Sequence, residues 1–163
     1  MHLLLFRHGI AEDISPQGDD GSRRLTKEGI EKTKAGARGL HKIIGIPDAI
    51  YTSPLVRAMQ TADILASVFD VTPRLMPSLA TGPAELVVRD LRKVREPFVI
   101  VVGHEPTLSM LGAKLCTGSD PVQFLQLKKA GAMLIDTAVN EGATVGAGKL
   151  LWLATPVMLR EMA

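Results

Sequence analysis

The chain opens on a short apolar run at residues 2–6 that stops at Arg7, the pattern of a buried strand delivering its carboxyl end to a loop. Residues 9–24 carry no apolar period. They are rich in Asp, Gly and Ser and are broken by Pro16 and Gly18, which marks a long loop of the kind that often carries function. Thr26 then reads as the N-cap of a helix, and Ile30, Ala37, Leu40 and Ile44 share one stripe that stops before Gly45 and Pro47. Gly29, Gly36 and Gly39 lie inside that helix. Each costs about 1 kcal/mol against Ala, so their presence predicts close approach of another backbone.

Residues 49–52 form a second short strand, and Ser53 with Pro54 reads as an N-cap and first-turn proline opening a helix at once. Leu55, Ala58, Ala62, Leu65, Ala66 and Phe69 fall on its core side and leave Arg57 off that side. Residues 72–76 form a third strand, and Pro83 opens a helix with Ala84, Val87, Leu91 and Val94 at its apolar positions. Residues 98–102 are an unbroken apolar, mostly β-branched run, expected as a central strand buried on both faces. It ends at Gly103 and His104, after which Pro106 starts a helix carrying Leu108, Leu111 and Leu115. Beyond it, residues 122–127, 132–139 and 149–154 read as strands, the last two joined by a turn through 140–142, and residues 156–162 as a terminal helix. Strands alternating with helices predict an α/β fold, a three-layer sandwich whose mostly parallel central sheet is flanked by helices; one domain is expected to span 1–163.

Composition narrows the function without naming it. At 46% hydrophobic and 22% charged, the chain has the make-up of a folded domain rather than a disordered one. Lys and Arg exceed Asp and Glu by 19 to 17, a net charge of +2, too small a field to imply nucleic acid. The basic cluster of Arg89, Arg92, Lys93 and Arg95 sits in a helical pattern as a solvated face. Cys116 has no partner cysteine, the opening residues have no basic leader, and no stretch reaches the roughly 18 apolar residues of a membrane span. A cytoplasmic chain without membrane attachment is the expectation.

The chemistry gathers at three strand-to-helix junctions: Arg7 and His8, Ser53 and Arg57, and His104. In an open α/β sheet, ligands bind beyond the carboxyl ends of the strands, so these residues are expected to converge on one cationic pocket suited to a phosphoryl group. Singly, Arg7 and His8 also fit a solvated loop start, Arg57 a surface position and His104 a structural histidine. Jointly they all fall at one sheet edge; His2 and His41 do not. Asp19 and Asp20 read as a solvated turn. Phosphate loops of the GxxxxGK and GxGxxG types are absent, as are GxSxG, HExxH and a cysteine followed closely by arginine, so NTPase, serine hydrolase, metalloenzyme and thiol phosphatase settings lack support.

These residues resemble the signature of the histidine phosphatase, or phosphoglycerate-mutase-like, superfamily. Phe6-Arg7-His8-Gly9 resembles its RHG strand end, Arg23-Arg24-Leu25-Thr26 with Gly29 its RPLTxxG segment, and the run from Thr52 to Ala62 its SSPLxRAxQTA segment; Val102-Gly103-His104 resembles the strand end that carries its second histidine. The short chain and the RPLT-like segment point to the SixA-type phosphohistidine phosphatase branch. The resemblance implies His8 as nucleophile, with Arg7, Arg57, His104 and Arg23 holding phosphoryl oxygens, each charge-assisted bond contributing about 1.5–3 kcal/mol. It implies no metal or other cofactor. Larger members use a glutamate after the third strand, and residues 79–82 here contain none. Glu85 is the nearest carboxylate for a general acid, with Glu12 and Glu105 weaker candidates. A missing acid suits a labile P–N bond better than an alkyl ester, hence a phosphorylated protein substrate of the histidine-phosphotransfer kind. A small-molecule phosphomonoesterase on the same fold and a non-catalytic phosphate-binding module are the alternatives.

Overall fold

A computed structural model describes residues 1–80, 82–119 and 125–163. Its elements are β1 (His2–Arg7), α1 (Lys27–Ile43), β2 (Ala49–Thr52), α2 (Val56–Phe69), β3 (Pro73–Leu75), α3 (Ala84–Leu91), β4 (Phe98–Gly103), α4 (Thr107–Thr117), β5 (Ala132–Asp136), β6 (Lys149–Ala154) and α5 (Pro156–Glu161). The six strands form one sheet in the order β3-β2-β4-β1-β5-β6. The first four are mutually parallel; β5 runs antiparallel to β1, and β6 antiparallel to β5.

Alternate side chains of the central strands feed two cores, because successive residues of a strand face opposite sides. Leu3, Leu5, Val99, Val101, Met133 and Ile135 pack against α3 and α4. Leu4, Phe6, Ile100, Val102, Ala132 and Leu134 pack against α1, α2 and α5. This explains the unbroken apolar runs of β1 and β4: both faces are buried. The α/β three-layer architecture with a mostly parallel sheet is as the alternation of elements predicts.

The glycines of α1 divide. A Cβ on Gly29 would stand 2.0 Å from the Ile10 carbonyl oxygen, and one on Gly39 would stand 1.7 Å from that of Leu159 on α5. Gly36 meets only the Leu159 side chain at an ordinary 3.8 Å, so the expected backbone approach fails there. The helix after β2 also starts later than the Ser53-Pro54 pair predicts. Ser53 N–H donates to Val102 O at 3.0 Å, which prolongs the ladder and delays the first turn to Val56, with Leu55 at the N-cap.

Two further expectations change in the last third. Of the strand expected at 122–127, residues 122–124 lie outside the described residues. Residues 125–127 are irregular, since Leu127 gives its N–H to the Glu105 carboxylate and its carbonyl to the Arg7 side chain instead of to a ladder. The strand expected over 132–139 ends at Asp136, and a 3₁₀ turn at Val139–Glu141 and further loop replace the tight turn before β6.

Candidate active site

Register brings the three junctions to one level. Arg7 of β1 lies beside Gly103 of β4, and Thr52 of β2 lies beside Val102, so His8, Ser53 and His104 each leave the sheet at the same edge. The long loop supplies the opposite wall by folding back on itself. Ala11 bridges Leu25, Thr26 N–H donates to Ile10 O at 3.0 Å, and Val56 N–H takes Gly21 O at 3.0 Å, docking the loop on the first turn of α2.

His8, Arg57 and His104 are only 5–6% exposed. The two imidazoles face each other with centroids 4.9 Å apart and planes tilted by 48°. His8 Nδ1 lies 2.7 Å from Gly9 O. A carbonyl only accepts, so Nδ1 carries the proton and Nε2 keeps its lone pair. Gly9 is held in turn by Thr61, whose hydroxyl accepts from Gly9 N–H at 3.0 Å and donates to Arg57 O at 2.7 Å. Burial, then the neighbouring His104, Arg57 and Arg7, push the His8 pKa down to about 3 against the pull of Gly9 O. Burial and Arg57 lower that of His104 to about 4, with Asp20 opposing. Both rings are therefore neutral at pH 7. His104 Nε2 is 2.8 Å from Ser53 Oγ, which also accepts from Leu55 N–H at 3.2 Å.

The arginines are anchored at one end and open at the other. Arg7 Nη1 donates to Leu127 O at 2.7 Å. Glu105 supports that contact, accepting from Leu127 N–H at 2.9 Å and from Ser109 Oγ at 2.6 Å. Burial lowers the Arg7 pKa while Glu105 opposes it. Arg57 donates from Nη1 to Asp20 O at 2.6 Å and from Nη2 to Asp20 Oδ2 at 2.8 Å. Arg23 donates from Nε to Glu12 O at 2.6 Å and from Nη1 to Asp20 Oδ1 at 2.7 Å. Of the six buried side-chain polar atoms without a hydrogen-bond partner among the described residues, three, Arg7 Nε, Arg57 Nε and His104 Nδ1, belong to this cluster. Buried polar atoms are normally satisfied, so such a concentration marks a place built for an incoming polar group.

The structure thus brings Arg7, His8, Arg23, Arg57 and His104 together. Arg57, expected off the core side of its helix, is buried toward this cluster rather than solvated. Glu85 is not brought in: it pairs with Lys114 in a surface groove with Val88, Arg89, Arg92 and Val145, and that contact holds its carboxyl below the usual range, the wrong direction for a proton donor. Glu12 takes Arg24 N–H at 3.1 Å and Arg23 through its own carbonyl, and Glu105 is occupied behind Arg7. His2 pairs with Asp136, and His41 packs on Phe69, both outside the cluster. The sequence reading missed Asp20, taken as a solvated turn, and Ser53 as the partner of His104. For Asp20 a hint was present in its spacing three residues before Arg23. Among the described residues no group of three or more His, Cys, Asp or Glu is placed to hold a metal ion, and no helix is long and apolar enough to cross a membrane.

Residues 3–81 match the family model described as histidine phosphatase superfamily (branch 1). An uncharacterised protein of Picosynechococcus is 35% identical over 136 residues, covering 80% of this chain and 82% of the relative. Phosphohistidine phosphatase SixA of Escherichia coli is 26% identical over 98% of this chain and 97% of its own. Among solved structures, that of the protein histidine phosphatase SixA complexed with tungstate superposes with a TM-score of 0.82 at 24% identity, covering 98% of this chain and 99% of that one.

Proposed function

This chain belongs to the histidine phosphatase superfamily, and on that premise we propose that it is a metal-independent phosphatase that hydrolyses phosphohistidine on proteins through an intermediate on His8. The observation that carries the reading is the state of the His8 ring: neutral, protonated on Nδ1 by its bond to Gly9 O, and presenting Nε2 beside a second buried imidazole and buried guanidinium groups. In that state it is a nucleophile ready without a base. Nε2 attacks phosphorus as the P–N bond of a substrate ring protonated on its other nitrogen breaks, and the departing imidazole keeps the bonding pair and leaves neutral. Water then attacks the phosphoenzyme, the P–N bond pair returns to Nε2, and inorganic phosphate leaves with one of the water's protons released to solvent.

The arginines and His104 stabilise the equatorial oxygens through both steps. We assign Ser53 Oγ, which accepts from Leu55 N–H, as the donor to His104 Nε2, which leaves Nδ1–H as the donor without a protein partner, available to the phosphoryl group. The lack, among the described residues, of a carboxylic acid poised for proton donation favours the P–N bond, whose ring leaves as neutral imidazole once its other nitrogen is protonated, where an alkoxide needs a proton. The relation to SixA over nearly the whole chain supports the same substrate class.

The test is to mix wild type and His8→Ala with a phosphotransfer protein carrying labelled phosphohistidine. Wild type is expected to release phosphate and to yield, on rapid quench, an acid-labile, alkali-stable protein adduct; His8→Ala is expected to show neither, with a rate loss of at least about 10³-fold. Efficient cleavage of sugar phosphates or nucleotides with phosphohistidine proteins left untouched would overturn the substrate assignment in favour of a phosphomonoesterase.

A further inference from the structure

The carboxylate of Asp20 spans Arg23 and Arg57 as one edge of an oxyanion would. Oδ1 lies 2.7 Å from Arg23 Nη1 and Oδ2 lies 2.8 Å from Arg57 Nη2. The two arginines differ from their visitor in placement. The Arg57 side chain is 8% exposed and that of Arg23 22%, whereas that of Asp20 is 63% exposed at the tip of a loop. Among the described residues these guanidiniums are the carboxylate's hydrogen-bond partners, so it can swing into water without unmaking any other contact. The carboxylate oxygen that Arg57 Nη2 now uses is therefore in the least buried part of the cluster, while Arg57 Nη1 stays on Asp20 O at 2.6 Å.

We propose that Asp20 is a resident anion of the phosphoryl site: its carboxylate holds Arg23 and Arg57 in the unliganded protein, gives way to the phosphoryl group, and so sets the affinity of the site for phosphate. The proposal rests on the reading of the cluster as a phosphoryl site. A phosphoryl group brings about two negative charges and three acceptor oxygens, against one charge and two oxygens for Asp20, and it also reaches donors that Asp20 leaves unpartnered. A tethered competitor lowers the apparent affinity of every incoming anion by the fraction of molecules in which the cradle is open. The consequence is weaker retention of the phosphate product, which frees the site for the next substrate.

Calorimetric titration of inorganic phosphate into wild type, Asp20→Asn, Asp20→Ala and Asp13→Asn tests this. Asp13 lines the same surface cavity as Asp20 and Arg23, and neither arginine is paired with it, so its neutralisation controls for charge alone. An open fraction of roughly one in ten predicts phosphate binding about tenfold tighter in both Asp20 variants and within about twofold of wild type in Asp13→Asn. Inhibition of phosphohistidine hydrolysis by phosphate, followed in the same samples, is expected to sharpen by the same factor. Unchanged or weaker phosphate binding in the Asp20 variants would overturn the proposal and make Asp20 a support for the arginines. Equal tightening in Asp13→Asn would overturn it in favour of a general charge effect. If wild type turns over phosphohistidine while the Asp20 variants bind phosphate no more tightly, only this proposal falls; if no folded variant nor wild type binds phosphate at all, the phosphoryl-site reading falls with it.

Discussion

At His8 a single carbonyl fixes the tautomer. Gly9 O can accept only from Nδ1, and a ring whose pKa is pushed down to about 3 by burial and by His104, Arg57 and Arg7 has no second proton to place on Nε2. An ordinary imidazole at pH 5.5 is about nine-tenths protonated and so mostly inert as a nucleophile. Long-range proton–nitrogen NMR of the free protein is therefore expected to show the Nδ1–H tautomer of His8 throughout pH 5.5–7.5, and hydrolysis of labelled phosphohistidine protein to vary by less than about twofold over that range. A His8 titration centred near pH 6.5, with roughly tenfold loss of rate at pH 5.5, would show that the ring is not held neutral. The residues proposed to carry this chemistry were legible because Arg7, His8, Arg57 and His104, each open to an ordinary structural reading alone, fall jointly at one edge of the sheet. Asp20 and Ser53 were not, since their meaning lies in partners 37 and 51 residues away, Arg57 and His104. Glu85 misled for the opposite reason: a first-turn carboxylate looks the same in sequence whether it faces the site or, as here, Lys114.

Secondary elements were readable wherever burial alone determined them. β1, β4 and the stripes of α1, α3 and α4 follow the apolar pattern because each has a face or faces that must leave water. The misreadings fall where backbone groups serve the site: Ser53 prolongs a ladder instead of capping a helix, and Leu127 spends both its backbone groups on Glu105 and Arg7. The glycines of α1 give a prediction of opposite signs within one helix. An Ala at 39 must push α5 away, because its Cβ would lie 1.7 Å from Leu159 O and 3.2 Å from Ala163 N. An Ala at 36 meets only Leu159 Cβ at 3.8 Å and gains helix propensity. Chemical denaturation is expected to show Gly39→Ala destabilised by about 1–3 kcal/mol and Gly36→Ala stabilised by up to about 1 kcal/mol. Equal effects at the two sites would mean that the α1–α5 approach is softer than the distances state.

For the molecule as a whole, the site is a cost carried by the rest of the fold. Two imidazoles with folded-state pKa values of about 3 and about 4 stand beside buried guanidinium groups, and the layered cores on both sides of the sheet must offset that. The unfolded chain accepts protons on these rings near pH 6.5, whereas the folded chain refuses them, so proton uptake favours unfolding as pH falls. Stability is thus complete above pH 6.5 and is lost progressively between pH 6.5 and the folded-state values. From pH 7 to pH 5 each ring accounts for about 2 kcal/mol, a large share of the 5–15 kcal/mol typical of a domain. Carboxylates do not confuse that window: Asp20, Glu28 and Glu85 are held below their ordinary range by hydrogen bonds to Arg57, Lys32 and Lys114, Asp90, against its burial, by Ser78 with Arg89 and Lys93, and Glu96 by backbone N–H groups and Arg74, so their contribution is lost only at lower pH. Urea titrations at pH 7, 6 and 5 are expected to show wild type losing about 4 kcal/mol over the range. His8→Asn is expected to lose about half of that dependence and the double variant His8→Asn with His104→Asn most of it. A wild-type slope no steeper than that of the double variant would mean that the two rings take up protons in the folded state, and that the site admits water where the structure buries them.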